Sequence, residues 1–366
     1  MTRETRTRKA DHIRIALTHD VQAKQITTGL EDVSLVHRAL PEVNREDVAL
    51  STTMFGHKFA APVIVGAITG GTPAASKINA TIAEVVEKLG LGMGVGSQRA
   101  AIEQKPLAKT FSIARRKAPN AFLIANMGAV QLVNGFGMRE IRKALEMIDA
   151  DAIALHLNPL QEAAQPEGQT AFKGVLSKIR EVIDEIDKPV IVKETGAGIG
   201  AEDARRLEDV GVACIDVSGA GGTSWAAVES YRSKEKNNKF AGTLGKVFWD
   251  WGIPTAQSIV EVTQTVKIPV IASGGLRDGV EAAKSLSLGA ELVSLSQPIL
   301  HSSVMGETAT ENTLLSMIEE LRNAMFLVGA KSVENLRRVP LLITGKTAER
   351  LALRKFDVQH YAARGE

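Results

Sequence analysis

The stretch "PVIVKETGAGIGAEDARRLEDVGV", residues 189–212, decides the fold. It begins with an unbroken apolar run, which suits a strand covered on both faces rather than one with a wet side. A polar and glycine-rich loop follows, then a helix-like segment whose apolar residues recur at three and four. Gly211 closes that segment, and the next apolar run, "VACIDVSG", starts at once. This is one strand–loop–helix unit whose crossover to a parallel strand is right-handed.

Seven more runs of the same kind flank it. They are "APVIVGAIT" (61–69), "LGMGVGS" (91–97), "NAFLIANM" (120–127), "ADAIALHLN" (150–158), "VACIDVSG" (212–219), "IPVIASGG" (268–275) and "AELVSLSQ" (290–297). Amphipathic stretches such as "MREIRKALEMID", "FKGVLSKIREVIDEI" and "DGVEAAKSLSLG" lie between them. Eight regular units predict an α/β fold of the closed (β/α)₈, or TIM-barrel, type rather than an open doubly wound sheet.

Two parts of the chain are expected: an N-terminal extension over residues 1–60, and the barrel with its C-terminal helices over residues 61–366. In the extension, "RKADHIRIAL" reads as a basic helix and "EDVALSTTMFGHKFAAP" as a hairpin over the barrel's bottom. Residues 223–254 read as a long insertion after strand six, and "NTLLSMIEELRNAMFLVGA" as the eighth helix. The composition is that of a globular protein: 44% hydrophobic, 23% charged, net charge +2 over 366 residues. Such a balance gives no reason to expect a nucleic-acid partner. The single Cys214 excludes a disulfide framework, and no apolar run approaches the roughly 18 residues of a membrane span. A cytoplasmic enzyme is expected.

Chemistry in this fold sits where the strands end. Those ends are unusually polar: Thr69, Ser97 with Gln98 and Arg99, Asn126, Lys193 with Glu194, Ser218, Ser296 and Gln297. After strand seven, "SGGLRDG" lets backbone N–H groups approach a phosphate at a helix start, and "GGTSW" (221–225) adds hydroxyls beside it. Lys193 ends a buried run and has to reach solvent or an anion; the N1 edge of a reduced flavin is such an anion. In "HLNPLQE" (156–162), His156 and Asn158 lie two apart and share a face. Gln161 and Glu162 follow on the loop, where Glu162 suits Mg²⁺ completed by water and phosphate oxygens. Cys214 lies within strand six and reads as core, and the histidines lack H-x-x-x-H spacing.

Taken in order, "RKADHI", "TGG", "GVGSQR", "HLNPLQE" and "GGTSWAAVE" make the chain resemble the FMN-dependent, type 2 isopentenyl-diphosphate delta-isomerases over nearly its whole length. The resemblance implies a flavin site of Ala67, Ile68, Thr69, Ser97, Asn126, Lys193, Ser218, Thr223, Gly275, Leu276, Arg277, Ser296 and Gln297. It implies substrate binding by Arg8, Lys9, Ser97, Gln98, Arg99, Asn158 and Gln161, with Glu162 holding Mg²⁺. Lys193, Gln161 and His156 become the catalytic candidates, and Glu229 also matches a family position. Ile68, where the family often has Met, and the Ser296–Gln297 pair depart from the pattern. The implied reaction is a 1,3 proton shift from isopentenyl to dimethylallyl diphosphate, with FMN kept reduced by NAD(P)H and with a tetramer or octamer as the assembly. An FMN-dependent 2-hydroxyacid oxidase is the rival on the same fold, but it needs a His and Arg pair that no late strand end supplies.

Overall fold

The computed structural model describes residues 2–235 and 238–365, with side chains from Arg8 onward. The expected barrel is present. Eight parallel strands close on themselves: Val63–Val65, Gly92–Gly94, Phe122–Gly128, Ala152–His156, Val190–Lys193, Cys214–Asp216, Val270–Ser273 and Leu292–Leu295. They are strands one to eight below. Strand eight pairs with strand one through Val293↔Val63 and Leu295↔Val65, which completes the ring. Each strand is buried along most of its length because the barrel interior covers one face and the helices cover the other.

Side chains alternate across a strand, so every second residue points at the barrel axis. One inward layer is apolar: Ile64, Ile124, Ala154, Ile191, Cys214, Ile271 and Leu292 form a single cluster. Burial in that layer pushes the Cys214 thiol well above its ordinary range, which makes it core rather than nucleophile. Two residues further along each of these strands stand Gly66, Asn126, His156, Lys193, Asp216, Ser273 and Ser294. The same pleat that builds the core therefore delivers a polar layer at the strands' C-terminal ends.

The bottom of the barrel is plugged from outside. Strands Thr52–Met54 and His57–Phe59 form the expected hairpin, with Phe55 and Gly56 both at positive φ in its turn. Phe59 is fully buried and meets Phe122 edge-on, with 5.5 Å between ring centroids. A second strap joins the chain's two ends, where Val33–Leu35 pairs antiparallel with Leu341–Ile343. Strands this short and this far apart in sequence carry no local pattern to reveal them.

Residues 223–254 turn out to be mainly helical, with helices Trp225–Glu235 and Lys239–Val247. Their periodicity is hidden because Glu229, Ser230, Arg232 and Ser233 are buried beside Ala226, Ala227 and Val228. The helix Thr2–Thr18 crosses the top of the barrel, its Ile15 packed with Val21, Ala227, Val228 and Trp249. If Phe59 is the plug, Phe59→Ala should lower stability by about 3–5 kcal/mol in urea denaturation, the range for emptying an aromatic core site. A loss below about 1 kcal/mol would mean that the hairpin does not seal the barrel.

Candidate active site

The polar layer forms the floor of a deep cavity at the strands' C-terminal ends. Its parts hold each other in place. Asn126 donates through Nδ2 to the Val95 carbonyl at 3.0 Å, which turns its Oδ1 toward His156 Nδ1 at 2.8 Å. That oxygen can only accept, so Nδ1 carries the imidazole proton and Nε2 is a bare acceptor. Burial first, then the Lys193 and Lys9 charges, bring the His156 pKa down to about 3, so the ring is neutral at ordinary pH. Lys193 Nζ donates to the Glu194 carbonyl at 2.5 Å. The Glu194 carboxylate, buried, accepts from the N–H groups of Thr195 and Gly196 at 2.6 Å and of Ala197 at 2.5 Å.

One wall is made by the loops after strands six and seven, which meet backbone to backbone. A Cβ on Gly222 would lie 2.5 Å from the Gly275 Cα, so a side chain on Gly222 would push the loops apart. Gly274 and Gly275 both hold positive φ, 102° and 78°, which L side chains adopt only under strain. Arg277 reaches back from this wall to the Gln22 carbonyl oxygen of its amide at 2.5 Å. The helix Gln297–Met305 opens beside this wall, after the neighbouring strand eight, with Ser296 before its first turn. Gly66 keeps the floor open there, since a Cβ would meet Ser296 Oγ at 2.5 Å and Ser294 Oγ at 2.7 Å.

The roof comes from the N-terminal helix. Arg8, Lys9, His12, Ile13 and Ala16 all line the cavity from above. Lys9 Nζ donates to the Ser97 carbonyl at 2.7 Å. Its pKa falls to about 7 through burial and then the nearby Arg8 and Arg99 charges. Arg8 is lowered by burial and by Arg99, against the pull of Glu162, Glu167 and Glu229. His12 Nε2 meets Glu229 Oε1 at 2.8 Å, and its ring stands edge-on to Trp225 at 5.1 Å. Glu229 is fully buried; burial works against its charge, but His12, Arg232 and Gln161 together hold its pKa below the ordinary value.

The segment "HLNPLQE" completes the rim, but Gln161 and Glu162 do not lie on a loop as expected: Pro159–Ala164 is a short helix, opened by Pro159, whose missing N–H costs nothing in a first turn. Glu162 is buried and accepts from the Gln169 N–H at 2.7 Å and from Asn158 Nδ2 at 3.1 Å. Gln161 Nε2 lies 3.4 Å from Glu229 Oε1, linking this short helix to the helix Trp225–Glu235. Asn158 Oδ1 is a buried acceptor with no partner among the described residues.

All thirteen residues expected around the flavin surround this one cavity, as do Arg8, Lys9, Arg99, His156, Asn158, Gln161 and Glu162. Gln98 is the exception. It is fully buried, gives Nε2 to the Ala144 carbonyl at 2.8 Å and takes the Asn126 N–H at 2.9 Å, so its side chain braces the wall instead of reaching a substrate. Sequence reasoning missed His12, Asp216 and Ser273. A signal existed for Asp216, a carboxylate within the apolar run "VACIDV", and for His12, one helical turn from Arg8 on the same face.

Known proteins resemble this chain in sequence and in fold. Residues 131–342 match the family model described as FMN-dependent dehydrogenase. The chain is 48% identical to isopentenyl-diphosphate delta-isomerase of Methanothermobacter thermautotrophicus, over 98% of this chain and 99% of that one. It is 51% identical to the enzyme of the same name from Ignicoccus hospitalis, over 91% and 92%. Among solved structures, mandelate oxidase with (S)-2-phenylpropionate superposes with a TM-score of 0.63 at 20% identity, covering 93% of this chain and 98% of that one, a likeness of fold alone. With near-complete coverage at this identity, and an FMN-type barrel beneath it, the chain belongs to the FMN-dependent, type 2 isopentenyl-diphosphate delta-isomerase family, and it is an isomerase.

Proposed function

We propose that the cavity converts isopentenyl diphosphate to dimethylallyl diphosphate, with FMN on the polar floor and the diphosphate under the N-terminal helix. The observation that carries this reading is the cluster of Arg8, Lys9 and Arg99 above Lys193. Burial and the Arg99 charge lower the Arg8 pKa, and burial with the Arg8 and Arg99 charges lowers that of Lys9, so this corner of the cavity suits an anion. Residues 1–60 thereby contribute a substrate-covering arm as well as the cap beneath the barrel.

The residues present fit FMN. Lys193 and the hydroxyls of Ser218, Thr223 and Ser296 are donors around the floor, and the glycine-to-glycine contact after strands six and seven leaves a backbone cradle where a phosphate can sit. Ala67, Ile68, Thr69, Ser97 and Asn126 would border the ring, with Leu276, Arg277 and Gln297 toward the phosphate end. Reduced FMN, when bound, supplies proton-exchange chemistry that no side-chain pair here offers. NAD(P)H is the proposed reductant.

The reaction adds one proton to the terminal alkene carbon and removes one from the carbon beside the CH₂–O group, so nothing is oxidised or reduced overall. His156 keeps its proton on Nδ1 and presents an unprotonated Nε2, which suits orienting and accepting rather than donating. Gln161, bridged to an ionised Glu229, fixes the opposite side of the substrate chain. Ile13, Ala16 and Trp225 exclude water above it, and Asn158 keeps an acceptor free at the rim. For Mg²⁺ the rim offers the Glu162 carboxylate, and among the described residues no three His, Cys, Asp or Glu side chains are grouped for a metal. One carboxylate, water and diphosphate oxygens form an ordinary Mg²⁺ shell.

The direct test is an anaerobic assay of the FMN-loaded protein with isopentenyl diphosphate and Mg²⁺. Product should appear after dithionite reduction, without stoichiometric use of NAD(P)H, and equal turnover by the oxidised protein would overturn the reading. Glu162→Gln should retain the flavin and lose at least ~10–100-fold in Mg²⁺ affinity, the range seen when a metal site is weakened. An unchanged Mg²⁺ titration would remove Glu162 from that role.

Lys9 adds a pH dependence. Its pKa in the free protein is about 7, and a bound anion raises it, so binding takes up a proton above that point. Diphosphate affinity, measured calorimetrically with inorganic diphosphate, should fall by up to about tenfold per unit as pH rises from 7 to 9. Lys9→Met should flatten that slope; a slope of equal steepness in the variant would assign it elsewhere.

A further inference from the structure

Asp216 is a buried carboxylate that the proposed reaction does not use. It is 4% exposed and ends strand six inside an otherwise apolar run. An isolated charge there would cost several kcal/mol. Two neighbours offset that cost. Ser273 Oγ accepts the Ser218 N–H at 3.1 Å and gives its own proton to Asp216 Oδ1. On the adjoining strand, Lys193 stands in direct register with Asp216, and in-register residues of neighbouring parallel strands point the same way. Both side chains line the cavity floor, and both border a small void of about 20 Å³ just beneath it. Of the ammonium's three protons, one is directed to the Glu194 carbonyl.

We infer that Asp216 is the counter-charge of Lys193, a positioning residue that moderates the field Lys193 sets up at the cavity floor. This rests on the placement of FMN beside Lys193 proposed above. Lys193 alone would favour the reduced, anionic flavin strongly; Asp216 offsets part of that preference. Burial drives the carboxylate toward its neutral form, while Lys193 and Ser273 pull it back toward charge. Its ionisation therefore depends on the lysine. Ser273 in turn depends on Ser218, a non-glycine residue held at φ 40°, so the strained turn after strand six is wired to the charge balance of the floor.

The test is the midpoint potential of FMN in the intact holoenzyme, by anaerobic reductive titration. Asp216→Asn keeps the shape and can still accept from Ser273, so only the charge is lost. The preference for reduced over oxidised FMN should rise roughly tenfold, as expected for one nearby charge partly screened, or about 30 mV for a two-electron couple. Lys193→Met should move the potential the opposite way. In the double variant, Asp216→Asn should add nothing, because the carboxylate without its lysine has already taken a proton. Ser273→Ala should shift the potential in the same direction as Asp216→Asn, by less. An unchanged or lowered potential in Asp216→Asn, or shifts that simply add in the double variant, would overturn the pairing. Wild-type protein that binds no FMN would instead overturn the functional reading on which the pairing rests.

Discussion

The two-residue period of a strand is the constraint on which the rest of this molecule depends. Once eight strands close into a ring, each strand's inward residues must alternate with outward ones, and the ring decides what they meet. Ile191 and Cys214 pack the axis; two residues on, Lys193 and Asp216 stand in the floor of a cavity. A slip of one residue would turn both layers outward together. Core and chemistry are thus one pattern read at two heights, and the plug built on Phe59 supports the floor from below.

Charge organises what lies above that floor. The net charge of the chain is only +2, but Arg8, Lys9 and Arg99 gather where no carboxylate pairs with all three. The acidic groups near them are largely engaged: Glu229 with His12 and Arg232, Glu103 with Arg99, Glu162 with the Gln169 N–H and Asn158. Such a cluster is destabilising until an anion offsets it. The N-terminal helix is held by Lys9 on the Ser97 carbonyl, His12 on Glu229 and Ile15 in the small apolar cluster behind it.

Much of this was legible in the sequence, and for physical reasons. All eight strands announce themselves as unbroken apolar runs, because burial on both faces removes the need for polar alternation. The polar ends of those runs mark the cavity, since little else would place Lys193 or Asn126 beside so many aliphatic residues. What stayed hidden depended on distant partners. The pairing of Val33–Leu35 with Leu341–Ile343 has no local signature. The helix Trp225–Glu235 is obscured by buried polar side chains that only the ion network explains. Gln98 looks like a ligand-facing residue beside Ser97 and Arg99, yet the strand end turns it into the wall, where its amide ties Asn126 to the Ala144 carbonyl. Asp216 was visible as an anomaly within an apolar run, but its partners Lys193 and Ser273 come from the strands on either side.

One cavity is proposed to hold both a flavin on the polar layer and a diphosphate under the N-terminal helix. A crystal structure of the FMN-loaded enzyme with isopentenyl diphosphate and Mg²⁺ tests it most directly. The flavin ring should lie against Lys193, its phosphate in the glycine loops near Gly275, and the diphosphate within hydrogen-bonding distance of Arg8, Lys9 and Arg99. A diphosphate seated in the Gly275 loop instead, with the three cations left facing solvent, would contradict it.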